Sequence, residues 1–162
     1  VATASSPAPV GGRPVEALPP YVANGVVGIR YPGLPHLTGT TMVNGFAGRS
    51  PADGVEGFAR APFALATDVQ VDGVWASAAP EWTRITEQRY DFSAGELHTS
   101  WTFRVNGTTA QVETLVFCPR CVPALAVCEI TVRVDTRADV RIALGMDPTD
   151  VPGIGDDYAE PG

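Results

Sequence analysis

The side chains of this sequence that could do chemistry are its thiols, two imidazoles and scattered carboxylates. The cysteines are Cys118, Cys121 and Cys128. Cys118-Pro119-Arg120-Cys121 is a C-x-x-C, a spacing that serves a redox pair, one half of a zinc site or a disulfide closed across a short loop. A zinc site wants a second pair of ligands at similar spacing, and the two histidines, His36 and His98, have no such partner near them in sequence. A thioredoxin-type pair opens a helix after a strand, whereas Pro119 falls between two strand-like runs. An odd number of cysteines leaves one unpaired within the chain, so a local Cys118–Cys121 disulfide and plain thiols at a turn both stay open.

The carboxylates Glu81, Glu87 and Asp91 lie on or beside a strand-like run, and no second acid is fixed by their spacing. They read as a solvated face rather than an acid–base pair. The acids near the C-terminus, Asp147, Asp156 and Asp157, supply the oxygens that Ca²⁺ takes, but their spacing fits no EF-hand loop, and a solvated acidic tail is expected. No metal and no cofactor is implied. Trp75, Trp82 and Trp101 offer aromatic faces that could stack on sugar rings. Trp101 sits in an alternating apolar row and is expected in the core, which leaves Trp75 and Trp82 as the carbohydrate-stacking candidates.

The net charge of −7 argues against nucleic acid or an anionic membrane as partner, because those are bound by clustered cations. The 11 basic residues are all Arg and are scattered. No run of about eighteen apolar residues is present, so no membrane-spanning helix is expected. Residues 1–17 are rich in Pro, Ser and Ala, cannot bury apolar surface and are expected to be flexible. The stretch is also what signal-peptide cleavage leaves behind, which favours an extracellular protein over a cytoplasmic one.

The elements that must position these groups are strands. Leu97, Thr99, Trp101, Phe103 and Val105 alternate with polar residues, the pattern of a strand with one buried face. Asn106-Gly107 follows, a two-residue turn whose positions both accept positive φ, and Thr108–Cys118 continues as a second strand. The turn predicts Val105 opposite Thr108, Phe103 opposite Ala110, Trp101 opposite Val112, Thr99 opposite Thr114 and Leu97 opposite Val116, so the apolar faces coincide. Asn106-Gly107-Thr108 also has the form of a glycosylation acceptor, but the turn accounts for these residues in full. Val69–Val71 and Val74–Ala76 flank Asp72-Gly73, a second hairpin. Trp82–Phe92, Ala124–Val134 and the alternating Val140, Ile142 and Leu144 read as further strands. Short strands punctuated by Gly and Pro predict an all-β fold, an antiparallel β-sandwich over residues 18–147, followed by an acidic Gly/Pro-rich tail over 148–162.

The stretch Leu18–Arg30, and within it Asn24-Gly25-Val26-Val27-Gly28-Ile29-Arg30, resembles the opening of glycoside hydrolase family 65 enzymes. Thr41-Met42-Val43-Asn44-Gly45-Phe46 is similar to the family's second strand. Phe58–Val71, with Arg60 and Pro62 in register, and Gln88–Leu97 follow in the family's order. The resemblance implies a galactose-mutarotase-like supersandwich, here incomplete. It implies a second polypeptide or downstream region that carries the remaining strands and an (α/α)6 barrel with the general acid. The chain would then be the non-catalytic N-terminal part of an enzyme on α-linked glucosides, hydrolytic with inversion rather than phosphorolytic, and no catalytic residue is transferred to it. In such enzymes loops of the sandwich reach the catalytic domain, which makes His36 and Asn44 the substrate-pocket candidates. Asn24, Gly25 and Gly28 are expected to serve turn chemistry and close packing, and Arg30 and Arg60 surface or interface pairing. A stand-alone carbohydrate-binding or structural module is the alternative.

Overall fold

A computed structural model describes residues 20–31, 38–49 and 54–148. Eleven strands follow in chain order: β1 (Tyr21–Ala23), β2 (Val27–Arg30), β3 (Thr40–Arg49), β4 (Glu56–Ala61), β5 (Phe63–Val71), β6 (Val74–Trp75), β7 (Thr83–Asp91), β8 (Glu96–Val105), β9 (Thr108–Phe117), β10 (Val127–Val134) and β11 (Val140–Asp147). Two 3-10 turns, Ala76–Ala78 and Pro80–Trp82, stand between β6 and β7. Every ladder is antiparallel, in sheets ordered β1-β2-β3-β4, β10-β9-β8-β7 and β11-β5-β6. The protein is an all-β antiparallel sandwich. Residues 1–17, and the tail beyond Pro148, lie outside the described residues.

The β8–β9 hairpin has the register that its turn demands. Val105 faces Thr108, Phe103 faces Ala110, Trp101 faces Val112, Thr99 faces Thr114 and Leu97 faces Val116. Asn106 and Gly107 both take positive φ, as do Asp72 and Gly73 between β5 and β6, so each turn twists in the sense of the strands it joins. All ten of those paired side chains are buried, and they form the inner face of the four-stranded sheet.

Two apolar clusters lie against that face. At one end Trp101, Phe103, Val105, Ala110 and Val112 pack on Val69 and Val71 of β5 and on Ala76 and Ala79 of the 3-10 turns. At the other end Leu97, Val116 and Cys118 pack on Val22, Ile29, Tyr31 and Phe63. The Tyr31 and Phe63 rings meet edge to face at 5.4 Å, the arrangement that aromatic quadrupoles favour. Strands of both other sheets therefore oppose the same inner face. They meet where Pro62 separates β4 from β5 and the Ala64 amide donates to Thr41 Oγ1 at 3.3 Å.

Three expected strand boundaries are corrected. Trp82 belongs to a 3-10 turn, because Pro80 opens that turn and the Trp82 amide donates to Ala79 O. Ala76 likewise leaves β6: the turn it begins is held by Asp68, a buried carboxylate that accepts from Ser77 Oγ at 2.7 Å and from the Val69 amide at 2.8 Å. Ala124–Ala126 precede β10 rather than join it, because the Leu125 amide closes a tight turn onto Val122 O. The alternation of Val140, Ile142 and Leu144 does produce a strand, but Ile142 and Leu144 are exposed.

Phe103 and Arg104 adjoin on β8 but point to opposite faces, one buried and one exposed. Phe103→Ala is expected to cost about 3–5 kcal/mol of unfolding free energy, through lost transfer energy and a cavity. Arg104→Ala should stay within about 0.5 kcal/mol of wild type. Urea denaturation of both variants checks this; similar losses would mean that the register is wrong.

Candidate functional site

The residues singled out from the sequence separate into two places. Asn44 stands near the start of the chain's first hairpin, at the end of the sandwich that holds Val22 and Cys118. Trp75 and Trp82 flank the cluster around Trp101 and Phe103. His36 lies outside the described residues.

The best-organised polar group at the first place is Asn24. It occupies the turn between β1 and β2, where Oδ1 accepts the Val26 and Val27 amides, each at 2.9 Å. Its Nδ2 donates to Pro119 O at 3.0 Å and to Pro123 O at 2.9 Å, nearly a hundred residues away. One amide side chain thus shapes the first hairpin and holds down the loop that contains Cys121. All four bonds suit an amide that needs two acceptors and two donors, so Asn24 has little left for a ligand. Gly25 takes positive φ in the same turn, and its carbonyl accepts from Asn44 Nδ2 at 3.0 Å. The Asn44 amide donates to Val26 O at 2.8 Å. Asn44 is exposed, and its side chain ties β3 to the turn. Gly28 faces Tyr21, and a Cβ there would overlap the tyrosine hydroxyl, so any larger residue would have to displace that ring. The turn and packing roles expected for Asn24, Gly25 and Gly28 are the ones found; the long-range clamp by Asn24 had no signal in the sequence.

The three thiols are all free. Cys118 is buried, with Sγ directed to Val22 O at 3.8 Å, while Cys121 is exposed on the clamped loop and Cys128 is half-buried opposite Val116. Of the readings left open for the C-x-x-C, plain thiols at a turn is the one the structure has. Burial pushes the Cys118 thiol up, and it does the same to Cys128 against a partly offsetting hydrogen bond from Thr67. Burial, and then the neighbouring Cys128 and Cys118, push the Tyr31 phenol far above its ordinary range. Among the described residues no group of three or more His, Cys, Asp and Glu gathers where it could hold a metal ion.

At the second place Trp75 is half-buried at the end of β6, where it pairs with Gln70. Trp82 is 46% exposed, so part of its ring faces solvent. Trp101 is 1% exposed and belongs to the core, as expected. The carboxylates do not converge. Glu81 and Glu87 are exposed, and Asp91 caps the β7–β8 turn, with Oδ1 accepting from Ser93 Oγ at 2.6 Å and from the Ser93 amide at 2.9 Å. The Ser93 side-chain bond and the backbone amides that follow hold the Asp91 carboxyl below its usual range. A short-range pair that the sequence reading missed joins His98 Nε2 to Glu96 Oε2 at 3.2 Å; the i, i+2 spacing on β8 was its signal, because such residues share a face. Arg30 is exposed at the end of β2.

Removing the Asn24 amide should free the loop. Asn24→Ala is expected to cost about 1–3 kcal/mol, since it leaves two carbonyls and two amides to find other partners. Thiol chemistry gives a second check. The thiolate is the nucleophile and burial disfavours it, so at about pH 8 the wild-type chain should react fast with an aromatic disulfide reagent at one thiol, Cys121. Cys118 and Cys128 should follow only on unfolding. In Asn24→Ala the Cys118 rate should rise; an unchanged rate would show that the clamp does not hold the loop.

No protein-family model and no curated protein matches the chain.

Proposed function

We propose that this chain is the non-catalytic N-terminal sandwich part of a glycoside hydrolase family 65-like enzyme that acts on α-linked glucosides. In this reading it forms the first portion of a galactose-mutarotase-like supersandwich. Polypeptide beyond these residues supplies the remaining strands and the (α/α)6 barrel with the general acid. Inverting hydrolysis is favoured over phosphorolysis. Inversion uses an acid and a base far enough apart to admit a water, and both would stand on the barrel.

The observation that carries the reading is the ordered series of resembling segments from Leu18 to Asp147, set on an antiparallel sandwich. The element Asn24–Arg30 forms the turn and second strand of a hairpin whose Asn24 is committed to structure. A motif that organises the fold suits a domain whose task is to pack and to shape one side of a pocket. Asn44, and His36 in the sequence between β2 and β3, are the residues proposed to approach that pocket. The part-exposed Trp82 favours a second reading, a stand-alone module that holds a glycan by stacking.

Two assays separate these readings. Kojibiose, nigerose and trehalose should be untouched by the 162-residue chain and cleaved by the product of the full reading frame; cleavage by the chain alone would refute the first reading. Glycan binding by the chain alone, lost in Trp75→Ala or Trp82→Ala, would favour the second.

A further inference from the structure

Every asparagine of this chain is followed by glycine: Asn24-Gly25, Asn44-Gly45 and Asn106-Gly107. That pair is chemically labile. Glycine has no side chain to shield its amide nitrogen, which can reach the carbonyl carbon of the preceding asparagine side chain. The structure treats the three pairs differently. Asn24 is half-buried, and its side chain makes four hydrogen bonds, to the Val26 and Val27 amides and to Pro119 O and Pro123 O. Asn44 is exposed, but its Nδ2 donates to Gly25 O and its backbone amide donates to Val26 O. Asn106 is exposed at the tip of the β8–β9 hairpin, and among the described residues its side chain makes no hydrogen bond. In a two-residue turn the closing bonds belong to the flanking pair, here Val105 and Thr108, so the Gly107 amide also faces water.

We propose that Asn106 is a site of spontaneous covalent modification, deamidation to aspartate and isoaspartate, and that the fold selects it over Asn24 and Asn44. Gly107 N gives up its proton to solvent base and attacks Asn106 Cγ. The C–N bond of the side-chain amide breaks, and its nitrogen leaves as ammonia with a proton from solvent. Water then opens the five-membered ring at either of its carbonyls. The sum is asparagine plus water to acid plus ammonia, with no oxidation or reduction. Ring closure needs rotation about the Asn106 Cα–C bond, and a hairpin tip whose side chain is anchored to nothing opens at little cost. At Asn24 the same movement breaks the four-bond clamp, and at Asn44 the tie to Gly25.

The place of the modification matters. Aspartate keeps the backbone as it is, whereas isoaspartate adds a carbon to it between Val105 and Gly107. The lengthened backbone cannot repeat the two positive φ values that return Val105 opposite Thr108. Isoaspartate at this position therefore loosens the pairing of β8 with β9.

Peptide mapping of the 162-residue chain held in mildly alkaline buffer tests the proposal. Cleavage after arginine places the three sites on separate peptides, ending at Arg30, Arg49 and Arg120. In the folded chain Asn106 should convert at least about tenfold faster than Asn24 or Asn44, and in urea the three rates should converge. Conversion of Asn24 or Asn44 as fast as Asn106 in the folded chain would overturn the selection. So would an Asn106 that stays intact in buffer over the time in which the urea sample converts. The isoaspartyl fraction, counted with an isoaspartate-specific methyltransferase, should unfold at lower urea than the unconverted chain; equal midpoints would refute the effect on the hairpin.

Discussion

The rest of the structure depends on the register of β8 against β9. The Asn106-Gly107 turn takes the backbone through two positive φ values and returns it with Val105 opposite Thr108. From there ten residues fall on one face and are buried. A slip by one residue on either strand would turn Trp101 or Val112 outward and bring charged side chains such as Arg104 or Glu113 in. Both apolar clusters contain residues of these two strands, so the elements that contribute to the clusters are placed by packing against them.

The polar groups serve the same end. Asp68 fastens the 3-10 turn that covers Trp101 and Phe103, and Asn24 fastens the loop that follows Cys118. Asp135 and Asp72 accept the Thr109 and Asp139 amides, which pins the β10–β11 connection to the two hairpin turns. These carboxylates and this amide are spent on backbone groups that sheet ladders do not satisfy. That distribution suits a scaffold.

Period-2 alternation and Asn-Gly and Asp-Gly turns are local signals, and they made the two hairpins legible, the first of them residue by residue. The core position of Trp101 followed from the same alternation. Strand ends were less legible, because Pro80 and the Val122–Leu125 turn redirect the chain in ways that composition does not register. The exposure of β11 could not be foreseen: Ile142 and Leu144 alternate as a core strand does, yet both are exposed. Asn24 was legible as a turn residue and not as a clamp, since its partners Pro119 and Pro123 offer only backbone carbonyls, which any sequence has. The candidate site was least legible, because Asn44 and the two tryptophans were chosen by resemblance and residue type, and the fold holds them at different ends.

The central claim is that, among the described residues, the sandwich is closed at β8 and β9 and open toward β11. Residue-resolved amide hydrogen exchange of the 162-residue chain tests it most directly. Protection should be greatest for the amides of β8 and β9, intermediate in β10 and lowest in β11, where alternate amides should exchange nearly as freely as loop residues. Protection of β11 equal to that of β9 would contradict the account.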